Sequence, residues 1–220
     1  MKHSPFTRLP AGLYAITPDD LDLHRQTERV ARALEGGIDV LQLRIKGGSV
    51  TERARLGDRI KQRCDAAGVP LIVNDDLALT LHLEAAGLHV GQDDGDPRVL
   101  RDALGAHRWL GVSCYDRWEL ALAMQGLADY VGFGSVFPSP TKPQAVRAPL
   151  TLFEQARAAG VDAVAIGGID HHNARLPIRA GARAVAVITD LFGGGDPAVN
   201  ARRLQQVIRA AQPPEAPAAG

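Results

Sequence analysis

The residues best suited to chemistry in this sequence lie in one short loop that follows an apolar segment. Residues 130–133 (YVGF) form the segment, and the loop after it carries Ser139, Thr141 and Lys142 among three prolines. Proline fixes its own φ angle and disfavours helical geometry in the residue before it, so the loop is predicted to be stiff. It therefore displays hydroxyl groups and one ammonium group, and other parts of the chain are predicted to place further charged groups around it.

Three cations are candidates for this surrounding charge. Residues 38–45 (IDVLQLRI) alternate apolar and polar side chains, and continuing the pattern puts Gln42, Arg44 and Lys46 on one face. Because buried parallel strands are usually apolar throughout, we expect these three to line the mouth of a site; a half-exposed strand is the alternative. Arg44, Lys46 and Lys142 would then offer three positive charges to phosphate oxygens.

Carboxylates follow two other apolar segments, at Asp75 and Asp94. A carboxylate repels phosphate, but Mg²⁺ binds one or two carboxylates together with substrate phosphates. The sequence therefore predicts a Mg²⁺ site at Asp75 and Asp94. The alternatives are helix capping for Asp75 and Asp76, and a solvated loop for Asp93 and Asp94.

The elements that must position these groups alternate regularly along the chain. Eight strand–helix units within 220 residues predict a single-domain (β/α)₈ TIM barrel, with a doubly wound open sheet as the competing fold. The predicted boundaries are an N-terminal extension over 1–11, the barrel over 12–211 and a disordered Pro/Ala-rich tail over 212–220. The predicted strands are 13–16, 38–45, 71–73, 88–90, 109–112, 130–133, 163–166 and 184–188. The predicted helices are 21–34, 51–67, 77–86, 97–104, 117–125, 150–159, 170–181 and 197–211.

A second phosphate site is predicted after the last two strands. Loops at these positions of a barrel often bind phosphate through backbone N–H groups, and Gly167-Gly168 and Thr189 fall there. A simple turn is the alternative for the glycine pair. The neighbouring His171 and His172 are predicted to face different ways, so a metal pair is not expected.

Composition excludes several classes of protein. The net charge is zero with 23% charged residues, and no Lys/Arg-rich run is present, so a nucleic-acid or anionic-membrane surface is not expected. Cys64 and Cys114 lack metal-ligand or CxxC spacing and are predicted to be free thiols. Without an apolar leader or a run of 18 apolar residues, a cytoplasmic location is predicted.

With these residues assembled, the sequence resembles the thiamine phosphate synthase family. The matching segments occur in order over about residues 12–192 and are GLYAIT, VLQLRIK, VNDDLALTLHLEAAGLHVGQDD, GVSC, DYVGFGSVFPSPTKP, AIGGI and AVAVIT. The resemblance implies a Mg²⁺-dependent transferase. Such an enzyme condenses hydroxymethylpyrimidine diphosphate with hydroxyethylthiazole phosphate, and its products are thiamine phosphate and diphosphate.

The resemblance also implies a role for each site residue. The residues expected to bind the diphosphate are Arg44, Lys46, Asn74, Ser113 and Lys142. All of these except Asn74 are also expected to be catalytic. Asp75 and Asp94 are expected to hold Mg²⁺, and Gln42 to lie near the pyrimidine and the diphosphate. The groups expected to bind the thiazole phosphate are Ser139, Thr141 and the backbone of Gly168, Ile188 and Thr189. Asp190 would disturb that second subsite unless its side chain turns away.

Two further functions are alternatives. A thiazole tautomerase-like isomerase on the same barrel would not need the diphosphate-binding cations, and a non-catalytic phosphate-binding barrel would not need the metal carboxylates or Lys142. A phosphosugar isomerase would need an acid/base pair at the strand ends, which the sequence does not offer. The expected partners are small-molecule substrates, with no nucleic acid or membrane, and a homo-oligomer is left open.

Overall fold

The computed structural model describes residues 8–138 and 146–212. Within these residues, eight parallel strands close into a barrel in sequence order, and the last strand pairs with the first. The predicted (β/α)₈ fold is therefore confirmed, and the open-sheet alternative is wrong. The strands are β1 (Gly12–Ile16), β2 (Val40–Leu43), β3 (Leu71–Asn74), β4 (Gly87–Val90), β5 (Trp109–Tyr115), β6 (Tyr130–Phe133), β7 (Ala163–Ile166) and β8 (Ala184–Val187). The helices are α1 (Leu23–Gly36), α2 (Val50–Ala67), α3 (Leu77–His82), α4 (Pro97–Leu104), α5 (Trp118–Ala123), α6 (Thr151–Ala158), α7 (Arg175–Ala180), α8 (Thr189–Phe192) and α9 (Pro197–Ala211).

Local sequence signals explain where several helices begin. Ser49 and Glu52 form a reciprocal capping box at the start of α2. Asp96 accepts a hydrogen bond from the Arg98 N–H at the start of α4, with proline at the first helical position. The helix predicted over 170–181 begins later than expected, at Arg175, and Asp170 accepts hydrogen bonds from the N–H groups of His172 and Asn173 ahead of it.

The strands present two different faces. Their outward residues pack against the helices, as Leu41 and Leu43 of β2 do. The inward residues of the lower barrel form a second apolar cluster that includes Val40 and Ile72. Towards the carboxyl ends of the strands the inward positions turn polar, for example at Gln42. This change in polarity marks the end of the barrel at which a site can form.

Two differences from the predicted elements bear on the site. Strand β2 ends at Leu43, so Arg44 and Lys46 lie in the following loop and not within the strand. A short extra helix, α8, follows β8 directly and begins at Thr189. The predicted extension over 1–11 and the tail over 212–220 lie mostly outside the described residues and stay predictions. Among the described helices, none combines the length and the apolar character that crossing a bilayer requires.

Candidate active site

A polar cleft of about 490 Å³ opens beside the carboxyl ends of β2 and β3. Lys46 comes to it from the loop after β2, and Asn74 and Asp75 from the end of β3. Arg53 reaches it from the first turns of α2, and its Nε lies 3.4 Å from a carboxylate oxygen of Asp76. The cleft therefore combines cations and carboxylates, which suits a phosphate bound together with a metal ion.

Asp75 and Asp76 are neighbours with different environments. Asp76 caps α3 by accepting a hydrogen bond from the Leu79 N–H at 2.9 Å. Asp75 does not cap the helix: its φ angle of 63° places its N–H on the His89 carbonyl at 2.9 Å. The capping alternative is thus correct for Asp76, whereas the side chain of Asp75 is left to the cleft.

The Asp75 carboxyl lies close enough to that of Asp94 for the two to share a hydrogen bond. Burial first, and then the hydrogen bond and the charge of Asp94, raise the pKa of Asp75 from 3.8 to about 6, while Lys46 opposes this effect. Asp94 lies in an exposed loop, where its Oδ2 accepts a bond from the Gly91 N–H at 2.8 Å. Two carboxylates that repel each other at a cleft are typical of a site for a divalent cation.

The loop after β1 fixes the position of the cationic loop after β2. The buried Thr17 hydroxyl accepts a hydrogen bond from the Arg44 N–H at 2.9 Å. Asp19 accepts one from the Lys46 N–H at 2.9 Å, and its other oxygen lies 3.8 Å from the Arg44 guanidinium. The backbone of the cationic loop is therefore anchored, which leaves the Lys46 ammonium to the cleft.

The interior of the barrel carries neutral polar groups at the same end. Gln42 is only 3% exposed and points inward from β2. Ser113 points inward from β5, and its hydroxyl lies 2.9 Å from Nε2 of His89. Burial lowers the pKa of His89 from 6.5 to about 4, so this imidazole is neutral near pH 7. His89 is thus a hydrogen-bonded residue of the barrel interior, bound on both ring nitrogens.

The glycine pair after β7 makes room for the loop after β6. A Cβ atom on Gly168 would lie 2.4 Å from the Pro138 carbonyl oxygen, and one on Gly167 would lie 2.3 Å from the Ser135 hydroxyl. Both glycines also have positive φ angles, 98° at Gly167 and 65° at Gly168. Arg147 donates to the Ser135 hydroxyl at 3.3 Å and so ties down the start of this loop. The predicted binding residues Ser139, Thr141 and Lys142 lie outside the described residues, and their roles stay predictions.

The end of β8 resolves the conflict expected at Asp190. Its carboxylate accepts a bond from the His171 N–H at 3.1 Å and lies 3.2 Å from Nδ1 of the same residue. The Asp190 side chain is therefore bound to His171. The rings of His171 and His172 lie with centroids 3.8 Å apart, so the prediction that they face different ways is wrong. Ile188 packs partly buried against the interior cluster, and Thr189 is exposed at the first position of α8.

Two contributors to this end of the barrel are not apparent from the sequence. Arg53 is one of several arginines along α2, and nothing in the spacing of these residues singles it out. Arg147 follows the Pro-rich loop without any motif of its own. Only the packing of the loops places Arg53 at the cleft and Arg147 on the loop after β6.

Comparison with known proteins associates this geometry with one family. Residues 13–191 match the family described as thiamine monophosphate synthase. A thiamine-phosphate synthase of Chromobacterium violaceum is 50% identical over 194 residues, which cover 88% of this chain and 94% of that protein. One from Azoarcus sp. is 48% identical over 84% of this chain and 91% of its own length.

Solved structures give the same association. Thiamine phosphate pyrophosphorylase from Pyrococcus furiosus superposes with a TM-score of 0.82 and 30% identity, covering 94% of this chain and 99% of that one. A pyrophosphorylase of the same description from Bacteroides thetaiotaomicron has a TM-score of 0.65 and 16% identity, and covers 91% of this chain and 96% of its own. This second likeness concerns the fold alone.

Proposed function

The chain belongs to the thiamine monophosphate synthase family, and we propose that it forms thiamine phosphate from hydroxymethylpyrimidine diphosphate and hydroxyethylthiazole phosphate, with release of diphosphate. The observation that carries this proposal is a pair of adjoining carboxylates, Asp75 in the cleft at the strand ends and Asp94 next to it, with Lys46 lining the same cleft. A metal–diphosphate complex requires this combination of charges, whereas an isomerase acting on a monophosphate does not.

Mg²⁺ would be held by Asp75 and Asp94. The two carboxylates fit a divalent cation because, without one, burial and then the neighbouring Asp94 raise the pKa of Asp75. Among the described residues, no group of three or more His, Cys, Asp or Glu side chains is placed to hold a metal. Protein ligands would therefore be few, as Mg²⁺ allows when water and substrate phosphates complete its shell. When bound, the ion would supply positive charge next to the leaving diphosphate.

The chain's own groups would stabilise the leaving diphosphate. The bond between the pyrimidine methylene carbon and the diphosphate oxygen breaks, and its electron pair leaves with the diphosphate. Arg44, Lys46 and Lys142 would bind the growing negative charge, and Ser113 and Asn74 would donate hydrogen bonds to it. The electron-rich aminopyrimidine stabilises the resulting cation until the thiazole nitrogen forms the new bond. No protein nucleophile is needed for these two steps.

The acceptor would lie on the other side of the barrel mouth. Its phosphate would be bound by backbone N–H groups at Gly168, Ile188 and Thr189, together with Ser139 and Thr141 on the Pro-rich loop. Two observations support this placement: α8 follows β8 directly, as in barrels with a phosphate site there, and Asp190 is bound to His171. Productive transfer would depend on holding the thiazole nitrogen in line with the methylene carbon.

Turnover tests the proposal directly. Purified protein with both substrates and Mg²⁺ is expected to release diphosphate and form thiamine phosphate in equal amounts. Asp94→Ala should lower turnover about 100-fold or more, because loss of even an outer-shell partner of a metal typically costs about 10–100-fold. Asp93→Ala, in the same exposed loop, is the matched control and should stay active. A folded protein that makes no product would refute the proposal; binding without turnover would favour a phosphate-binding barrel, and isomerisation of the thiazole without diphosphate release would favour a tautomerase.

A cytosolic location belongs to the same proposal. Cys64 and Cys114 are both buried free thiols. Such thiols are usual in a reducing compartment, and fractionation of cells that express the chain would test the placement.

A further inference from the structure

A chain of hydrogen bonds crosses the inside of the barrel from Gln42 to Ser113. At one end, Nε2 of Gln42 donates to the Tyr14 hydroxyl at 2.9 Å. The Tyr14 hydroxyl lies 2.9 Å from that of Tyr130, and the Tyr130 hydroxyl lies 3.1 Å from Nδ1 of His89. At the other end, Nε2 of His89 lies 2.9 Å from the Ser113 hydroxyl. We refer to these five side chains as the interior chain.

The barrel is shaped to admit the interior chain. A Cβ atom at Gly111 would lie 2.1 Å from Cζ of Tyr130 and 2.6 Å from Nδ1 of His89, so only glycine fits at this inward position. The rings of His89 and Tyr130 stack, with centroids 5.5 Å apart. Tyr14 and Tyr130 are each 1% exposed. Groups buried this deeply must satisfy their hydrogen bonds with one another, because water does not reach them.

This requirement gives the interior chain a direction. Since Tyr14 accepts from Gln42, its own hydrogen goes to Tyr130. The Tyr130 hydrogen then goes to Nδ1 of His89, whose remaining hydrogen is on Nε2 and is donated to Ser113. Each hydroxyl and imidazole hydrogen is placed, and that of Ser113 is left to point outward. The opposite direction requires the Gln42 amide to turn over, so that its oxygen accepts from Tyr14 and its NH₂ group faces the ligand.

A charged His89 would not fit the direction in which Gln42 donates to Tyr14. An imidazolium donates through both ring nitrogens, so Tyr130 would have to accept from it and donate to Tyr14. Tyr14 would then accept from both Gln42 and Tyr130, and its own hydrogen would have no acceptor within the interior chain. Burial lowers the pKa of His89 to about 4, in agreement with a neutral ring. The side chains of the interior chain are therefore all uncharged, and what they share is one donor-to-acceptor direction.

We propose that Tyr14, Tyr130 and His89 are positioning residues, which couple recognition of the diphosphate at Ser113 to recognition of the ring at Gln42. The proposal rests on the proposed function. A phosphate oxygen only accepts hydrogen bonds, so Ser113 must donate to it, and its oxygen is then free to accept from Nε2 of His89. The direction of the whole chain follows, and Gln42 presents its carbonyl oxygen to the ligand. The ring that fits must offer a donor there, such as an exocyclic amino group, and not a ring oxo group.

The tautomer of His89 tests this direction without any turnover. The chain has seven histidines, and His89→Gln identifies the signals of His89 in ¹⁵N NMR spectra of the histidine-labelled protein. With Mg²⁺ and inorganic diphosphate as the probe, we expect an unprotonated Nδ1 and a protonated Nε2. A proton on Nδ1, or a ring with both nitrogens protonated near pH 7, would overturn the proposal.

Ligand discrimination tests the coupling itself. Calorimetry without the thiazole acceptor gives the affinities for the aminopyrimidine diphosphate and for its analogue with an oxo group in place of the amino group. The wild type should prefer the amino form about tenfold or more, the effect of one mismatched buried hydrogen bond. Tyr130→Phe interrupts the interior chain at its centre and should remove most of that preference, while binding of inorganic diphosphate with Mg²⁺ is reduced only a few-fold.

Ile72→Val provides the matched control. Ile72 packs in the same apolar cluster as Tyr14 and Tyr130 and pairs in register with Gln42, but it makes no bond of the interior chain. It should loosen the packing yet keep the preference for the amino form. A wild-type preference that survives in Tyr130→Phe, or a preference lost equally in Ile72→Val, would overturn the coupling. Should Tyr130→Phe not fold, Tyr14→Phe interrupts the same chain one bond nearer to Gln42. Failure of the proposed function would look different, since the wild type would then form no thiamine phosphate at all.

Discussion

Acidification from pH 7 to pH 4 should destabilise the folded protein through His89. This imidazole is bonded on both sides, to Tyr130 and to Ser113, and burial lowers its pKa from 6.5 to about 4. The unfolded chain therefore takes up a proton on this residue near pH 6.5, whereas the folded chain does so only near pH 4. Between these values the unfolded state binds more protons, so the free energy of unfolding falls as the pH falls.

The size of the effect follows from the two pKa values. They differ by about 2.5, and each pH unit corresponds to ~1.4 kcal/mol, so His89 removes about 3 kcal/mol between pH 7 and pH 4. Asp75 acts in the opposite direction over an overlapping range, because its pKa is raised to about 6 in the metal-free protein. A folded carboxyl that keeps its proton to higher pH gains stability on acidification. The two effects partly cancel in the wild type and have to be separated by mutation.

Comparison with His89→Gln isolates the histidine. Urea unfolding of both metal-free proteins between about pH 4 and pH 7 gives the free energy of unfolding at each pH. Asp75 titrates in both proteins, so its contribution drops out of their difference. The advantage of the wild type over His89→Gln should shrink by about 3 kcal/mol on going from pH 7 to pH 4. If the free energies of unfolding of the two proteins changed in parallel with pH, His89 would have the same pKa in the folded and unfolded states. The conclusion that its ring is buried and neutral would then be wrong.

Three further outcomes follow from the structure. Asp76→Ala should lower the free energy of unfolding by about 1 kcal/mol through loss of the α3 cap and should retain most activity. Asp75→Ala should lose most activity and keep its stability. Urea unfolding and turnover measured on both variants decide this. Gly168→Ala should cost about 1–3 kcal/mol, because its positive φ and the Pro138 carbonyl oxygen both oppose a side chain, and should raise KM for the thiazole phosphate most. Burial raises the pKa of the Cys64 thiol to about 12, so an aromatic disulfide reagent should modify it only as fast as the protein unfolds.

Much of the fold could be predicted because each element carries its own signal. The apolar segments at 130–133 and 163–166 coincide with β6 and β7, and the Asp96-Pro97 pair begins α4. The end of β2 could not be predicted in the same way. Its alternating pattern continues through Arg44 and Lys46, but the strand stops when Thr17 and Asp19 bind the backbone of the next loop. Those contacts come from residues distant in sequence and leave no local pattern.

The site could be predicted only in part, for a similar reason. The sequence predicts Asp75 as a metal ligand but leaves helix capping open for both Asp75 and Asp76, because the difference between them lies in one backbone angle and one cap. The interior chain was not predicted at all. Tyr14 and Tyr130 occupy apolar strands 116 positions apart and appear as ordinary core residues. Only closure of the barrel brings their hydroxyl groups together.

The distribution of charge in the barrel also bears on which chemistry the site can support. The cationic and acidic groups, such as Lys46 and Asp94, lie in loops beyond the strands, where water or a bound diphosphate can solvate them. Inside the strands the described polar groups are neutral: burial keeps His89 unprotonated and raises the pKa of both Tyr14 and Tyr130. Near pH 7 none of these three is ionised, so the interior supplies hydrogen bonds and no charge, and the proposed reaction assigns it no acid/base pair. Loss of a diphosphate to form a cation needs no such pair and depends instead on charges at the mouth, which is where this chain places them.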